Sequence, residues 1–270
     1  MSWTNVLVPM LGADPDADML AVGHALAAPF GATLSVGYSS TTPTNLFSYA
    51  NEAGVGVTDV AISALQKVSS AGEERARDLL AALDYPRKAF ETVTSDEWLG
   101  LRTASRLADV VVWESATARG HGFFAGAFQQ IMMDERRPAL IAASPVQVGG
   151  LVAIAWDGGR ESSRAARRAV PWLKLADEVV VLTAPQAMAR PCEPGRLVAY
   201  LADQGVKATA TPLHSRGEAG PLLVATAREL GARLLIAGAF GHPRLQRFIF
   251  GGTTQLLLES APNPALFLSH

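Results

Sequence analysis

The chain has 270 residues, of which 49% are hydrophobic and 18% are charged, and its formal net charge is −2. This composition predicts a globular protein of one large or two medium domains, and it excludes an intrinsically disordered chain. The small net charge gives no global attraction to nucleic acid or to an anionic membrane, so neither is expected as a partner.

The first half alternates short apolar runs with longer helical segments, which is typical of β-α-β units around a parallel sheet. The runs predict strands at 5–10, 32–37, 89–94, 110–114 and 139–142. Helical periodicity predicts helices at 16–29, within 58–83, at 96–107 and at 126–136. The stretch SPVQVGG at 144–150 has no helical period and predicts a linker.

The same order then repeats. Strands are predicted at 151–156, 178–183, 207–213, 234–238 and 265–269, and helices at 161–175, 197–204, 218–230 and 252–260. Pro171 is expected to kink or end the first of these helices. Segments of the two halves are also similar in sequence: ADVVVWE corresponds to ARLLIAG, and RRPALIAAS to PNPALFLSH. We therefore predict an α/β fold of two tandem, doubly wound, five-stranded parallel-sheet domains, at 1–144 and 151–270.

A glycine pattern follows the fourth strand of the second half, at the edge where open α/β sheets bind ligands. It reads GAFG at 238–241, then nine residues, then GGTT at 251–254 at a helix start. Such glycines let backbone N–H groups approach a phosphate, and the helix N-terminus adds further donors. The alternative is that the glycines only make tight turns. The candidate phosphate-binding residues are Gly238, Gly241, Gly251, Gly252, Thr253 and Thr254.

Asp157 ends the first strand of the same half and faces the same crevice. Its carboxylate can accept hydrogen bonds from a ribose or an adenine amino group, or it can form an Asx-turn and cap the next helix. Ala155 and Ala237, in the two strands that end here, complete the candidate cofactor-binding set. Three cationic side chains between the glycines either neutralise phosphate or remain solvated: His242, Arg244 and Arg247.

Several kinds of catalytic motif are missing from the sequence. It has no Walker A lysine, no G-x-S-x-G, no HExxH and no histidine pair at metal-ligand spacing, so neither a resident metal nor fast ATP hydrolysis is predicted. Cys192 is the single cysteine, which rules out a disulfide within the chain. No signal peptide or membrane span is recognised, and we expect a cytoplasmic protein.

These motifs resemble those of the universal stress protein family in its tandem form, strongly over 151–270 and weakly over 1–144. ATP-binding members of that family carry G-x2-G-x9-G-[ST] after the fourth strand and an Asp at the end of the first. Gly238, Gly241, Gly251 and Asp157 match this pattern, whereas Gly252 replaces the Ser or Thr. The resemblance implies a Rossmann-like, adenine nucleotide alpha hydrolase-like fold. It also implies that the second half binds ATP, ADP or AMP, alone or with Mg²⁺.

The first half departs from the family pattern. Leu11 takes the Asp position, and Trp113 and Glu114 take the places of the first glycine and its neighbour. The glycines at 120, 122 and 126 do not restore the spacing. The resemblance then implies a structural half that binds no nucleotide and pairs with the second through the last strands, 139–142 and 265–269. A pseudo-twofold pair within one chain, and a homodimer of chains, are the expected assemblies.

Three functions follow as hypotheses. The first is a stress-response regulator or protective factor that binds an adenine nucleotide in its second half without fast turnover. The second is an interaction module that needs no nucleotide, in which the glycines are turns. The third is an enzyme such as a slow ATPase or a nucleotidyl transferase.

Overall fold

The computed structural model describes residues 2–40, 56–93, 99–184, 193–213, 219–239, 252–261 and 263–270. Where a predicted strand or helix extends beyond one of these ranges, only its part inside the range has a counterpart in the structure. Of the described chain, no helix is both long and apolar enough to cross a membrane.

The first half follows the predicted order closely. Its strands are β1 (Asn5–Met10), β2 (Thr33–Tyr38), β3 (Lys88–Thr92), β4 (Val110–Trp113) and β5 (Ala139–Ile141). Its helices are α1 (Pro15–Ala27, followed by a 3₁₀ turn at Ala28–Phe30), α2 (Asp59–Ala82), α3 (Leu99–Ser105), α4 (Ser115–Ala118) and α5 (Ala125–Met133). The single turn α4 was not predicted, because four residues are too few to show helical periodicity.

The second half repeats the pattern. Its strands are β6 (Leu151–Ala155), β7 (Glu178–Thr183), β8 (Ala208–Pro212), β9 (Leu234–Gly238) and β10 (Ala265–Ser269). Its helices are α6 (Arg160–Leu173), α7 (Pro194–Asp203), α8 (Ala219–Glu229) and α9 (Gly252–Ser260). Pro171 lies inside α6, only two residues before its end.

The ten strands of the described residues form one sheet in the order β3-β2-β1-β4-β5-β10-β9-β6-β7-β8. Every pairing within a half is parallel, while β5 and β10 pair antiparallel, with Phe267 opposite Leu140. The predicted α/β class and the contact between the last strands are confirmed. The strand order is symmetric about the β5–β10 contact, which covers two strand edges that would otherwise be open.

One helix packs beside this contact, which we call the seam. α6 packs on β9 and β10, and its Trp172 is fully buried. The ring centroid of Trp3, at the start of the first half, lies 6.1 Å from that of Trp172 and 5.8 Å from that of Phe267. The two halves thus share core residues as well as a strand pairing, because aromatic rings from both fill the space beneath α6.

Candidate functional site

The predicted crevice of the second half lies where β6 and β9 end side by side. Their register pairs Val152 with Leu234 and Ile154 with Ile236, so the carboxyl ends of the two strands are neighbours. Ala155 and Ala237 are buried on the same face of the sheet, in the cluster packed beneath α8 and α9. At this edge, each of the two strands therefore carries only a methyl side chain.

Asp157 follows β6 at this edge and is exposed. Its Oδ1 accepts hydrogen bonds from the Gly159 backbone N–H at 2.8 Å and from the Ser162 hydroxyl at 2.5 Å. The Asx-turn, one of the two alternatives that the sequence allowed for Asp157, is therefore present, and it fixes the start of α6. Within the described residues, Oδ2 of Asp157 accepts no hydrogen bond, so the turn uses only one of the two carboxylate oxygens.

Gly238, at the end of β9, lies directly against the first turn of α6. A Cβ placed at Gly238 would be 2.6 Å from the carbonyl carbon of Glu161 and still closer to the backbone nitrogen of Ser162. The backbone at Gly238 has no positive φ. Glycine is needed at this position for helix–strand contact, a reason that the sequence alone did not suggest.

The start of α9 supplies the other described candidates. The helix begins at Gly252, with Thr253 exposed and Thr254 buried. An added Cβ at Gly220 in α8 would be 3.5 Å from the Thr253 Cα, so the first turn of α9 is held closely against α8. The remaining candidates lie outside the described residues, and their roles stay predictions: Gly241, Gly251, His242, Arg244 and Arg247.

The equivalent edge of the first half is filled. The β1–β4 register pairs Val6 with Val110, which matches Val152 with Leu234 in the second half, and this places Trp113 where the other half has Ala237. Trp113 is buried, with its ring edge-to-face against Phe128 at 5.6 Å. An indole in the first half therefore stands where the second half has a methyl group.

The β1–α1 loop of the first half is also closed. The buried carboxylate of Asp16 accepts the backbone N–H groups of Leu11, Gly12 and Ala13, at 3.1, 2.6 and 3.1 Å. Burial raises the pKa of Asp16, and these hydrogen bonds oppose that effect. Gly12 lies so close to Gly72 of α2 that no side chain fits between them. Asp16 was not among the predicted site residues, although its place after Leu11 and Gly12 fits a side chain that closes a turn.

A family comparison identifies the second half. Residues 196–268 match the family model described as "Universal stress protein family". The second half contains a universal stress protein domain. The match covers α7 through most of β10, and it confirms the resemblance inferred from the motifs.

Solved structures extend the likeness to the whole chain at the level of the fold. A universal stress protein from Archaeoglobus fulgidus has 15% identity and a TM-score of 0.66, with 99% of this chain and 96% of that chain covered. A protein of unknown function from Pseudomonas aeruginosa has 13% identity and a TM-score of 0.54, with 98% and 92% covered. No curated protein matches the chain.

Beside its crevice, the universal stress protein domain has a cavity that the sequence analysis missed. It has a volume of about 370 Å³ and lies between α6 and α7, with Trp156 and Gly158 in its wall. Aromatic and basic side chains line it together, among them Arg167, Arg196 and Tyr200. Across the described parts of both halves, no group of three or more His, Cys, Asp or Glu residues could hold a metal ion.

Proposed function

We propose that the universal stress protein domain binds an adenine nucleotide, which is ATP, ADP or AMP, alone or with Mg²⁺. The observation that carries this proposal is the edge of β6 and β9. There, two alanines carry only methyl groups, Asp157 keeps one carboxylate oxygen unused among the described residues, and α9 packs on the same face as the alanines. Ligands of open α/β sheets bind at such an edge.

Each candidate residue has a role in this proposal. Oδ2 of Asp157 accepts a hydrogen bond from the nucleoside, while Oδ1 keeps the turn before α6. Ala155 and Ala237 border the base. The backbone N–H groups of the glycine loop and of the first turn of α9 bind the phosphates. The loop residues concerned are Gly238, Gly241, Gly251, Gly252, Thr253 and Thr254.

The first half, 1–144, has a structural role in the proposal and binds no nucleotide. Trp113 and the closed β1–α1 loop remove the space for one. The two halves then act as a dimer within one chain, joined through β5 and β10, and two chains form a homodimer. The protein acts in the cytoplasm as a stress-response regulator or protective factor, through its conformation or its partners.

Titration calorimetry with ATP and Mg²⁺ tests the binding step. We expect saturable binding of one nucleotide per chain, which Gly241→Asp abolishes because it places a negative charge where phosphate lies. Asp157→Asn should weaken binding about tenfold, since the amide changes the acceptor pattern while retaining the volume. Asp203→Asn, at the exposed end of α7, is the matched control and should not change affinity. Absence of binding at millimolar ATP would refute the proposal.

The absence of turnover is tested separately. The loop lacks a lysine for phosphate transfer, and we expect no phosphate release above the rate of free ATP. Phosphate release that co-purifies with the wild type and is abolished by Asp157→Ala would instead establish a slow ATPase.

A nucleotide-independent interaction module is the second candidate. It is favoured by the finding that Asp157 and Gly238, two of the residues that match the family motif, already have structural roles at the start of α6. The presence of Gly252 in place of the family's Ser or Thr also favours this module. Purified protein that carries no nucleotide, and whose melting temperature changes with none, would favour this module.

A further inference from the structure

Four arginines meet at the seam between the halves. Arg136 and Arg137 precede β5 in the first half, while Arg164 and Arg168 belong to α6 of the second half. The antiparallel pairing of β5 with β10 places Ala139 opposite Leu268. The residues just before β5 therefore lie beside the carboxyl end of β10. We call these four residues the arginine cluster.

Hydrogen bonds fix the position of Arg168. Nη1 of Arg168 donates to the backbone oxygen of Arg136 and, at 2.9 Å, to the hydroxyl of Ser269. The backbone oxygen of Arg168 accepts from Nε1 of Trp3 at 3.1 Å. Three segments that are far apart in the sequence thus meet at this point, and Arg168 links them.

The positive charges in the cluster are close enough to act on one another. Burial lowers the pKa of the Arg168 guanidinium, and the charges of Arg137, Arg164 and Arg136 lower it further. Like charges in a partly buried place destabilise the folded chain unless a counter-charge is present.

Among the described residues, no ion pair joins a carboxylate to any of the four arginines. Asp134 and Glu135, which directly precede the cluster in sequence, pair with Arg102 and Arg106 instead. The cluster therefore holds positive charge that the described part of the chain does not neutralise.

One member of the cluster has an unused donor. The side-chain Nε of Arg137 is buried and has no hydrogen-bond partner within the described structure. Its Nη1 makes a long hydrogen bond, 3.5 Å, to the backbone oxygen of Ala108. A buried N–H without an acceptor costs about 1–3 kcal/mol, so an acceptor at this place would be stabilising.

We propose that the arginine cluster is a binding site for a phosphate oxyanion, either free inorganic phosphate or the phosphate group of a larger molecule. Guanidinium groups bind phosphate through paired, charge-assisted hydrogen bonds, and several of them together match its multiple charges. The anion would supply the missing counter-charge.

The site differs from the nucleotide crevice. Phe267, two residues before Ser269 in β10, packs in the cluster beneath α1 and α6, whereas Ala155 and Ala237 pack beneath α8 and α9. Because side chains two residues apart in a strand share a face, Ser269 lies on the α6 face of the sheet. The arginine cluster is therefore on the α6 face, opposite Ala155 and Ala237, although Ser269 pairs with Gly238 at the edge of the crevice. The proposal uses none of the crevice residues and does not depend on nucleotide binding.

The test is titration of inorganic phosphate followed by calorimetry and by melting temperature, with chloride adjusted to constant ionic strength. We expect the wild type to bind phosphate and to melt at a higher temperature with it. The double variant Arg136→Gln/Arg164→Gln should raise the Kd at least tenfold. Arg167→Gln, an exposed arginine of the same helix outside the cluster, is the control and should bind as the wild type does.

The double variant should fold, because neither of its side chains makes a hydrogen bond among the described residues. Without phosphate, it should melt no lower than the wild type, since like-charge repulsion is reduced. Gly241→Asp should leave the phosphate affinity unchanged, which separates this site from the nucleotide loop.

Phenyl phosphate distinguishes the two sources of the phosphate group. If it binds as inorganic phosphate does, the site accepts the phosphate of a larger molecule, and if it does not, the site takes the free ion. A wild type that binds neither compound, or a double variant that binds both equally well, would overturn the proposal.

Discussion

The substitution Gly238→Ala tests why a glycine ends β9. The added methyl group would lie 2.6 Å from the Glu161 carbonyl carbon, about 1 Å inside ordinary van der Waals contact. The overlapped atoms are backbone, so no side chain can rotate away. The first turn of α6 would have to move, and the two hydrogen bonds that Asp157 accepts from Gly159 and Ser162 resist that movement.

Overpacking of this kind costs about 1–3 kcal/mol. We expect Gly238→Ala to fall in the upper half of that range, about 2–3 kcal/mol, because strand end, turn and helix must all adjust. For a domain of this size, that is a decrease of roughly 4–10 °C in melting temperature. The measurement is urea unfolding of nucleotide-free protein, followed by circular dichroism.

Gly195→Ala is the matched control. Gly195 lies in the first turn of α7, without a positive φ, and an added Cβ would meet no atom within 4 Å. Alanine there should be neutral or stabilise by up to about 1 kcal/mol. If Gly238→Ala unfolds within about 0.5 kcal/mol of the wild type, close packing against α6 is not the reason for this glycine. A variant of unchanged stability that loses nucleotide affinity would assign Gly238 to phosphate binding instead.

Three further predictions concern the first half and the seam. Arg106 and Arg102 hold the pKa of Glu135 below its usual value, so Glu135→Gln should lower the melting temperature by roughly 2 °C at pH 7. That difference should disappear as the pH falls below 4.5, through the lowered pKa, because the wild-type carboxyl then loses its charge. Trp3→Ala removes a buried ring from the seam, and urea unfolding should show a loss of about 3–5 kcal/mol. Asp16→Ala leaves backbone N–H groups of the β1–α1 loop without their acceptor and should cost about 1–3 kcal/mol by the same measurement.

Each of these has an outcome that would contradict it. A Glu135→Gln effect that is equal at pH 7 and pH 3.5 would show that charge plays no part. A Trp3→Ala variant as stable as the wild type would mean that the halves do not depend on a shared aromatic core. For Asp16, the control is Asp18→Ala, an exposed acid of the same helix, and equal losses in both variants would contradict a special role for the buried carboxylate.

The sequence by itself determined the elements and the difference between the halves. Alternating runs and the repeated order predict strands and helices because periodicity and turn residues are local properties of the chain. Aligning the two halves position by position matched Leu11 with Asp157, and it matched Trp113 with the end of β9. The α/β class and the family resemblance followed from those patterns.

Only the tertiary structure decided how these parts meet. It joined two parallel sheets into one through β5 and β10, and it gave Asp157 and Gly238 structural roles at the start of α6. It also brought Arg136 together with Arg168, 32 positions later in the chain. These features depend on distances between segments remote in sequence, which packing fixes and local patterns do not encode.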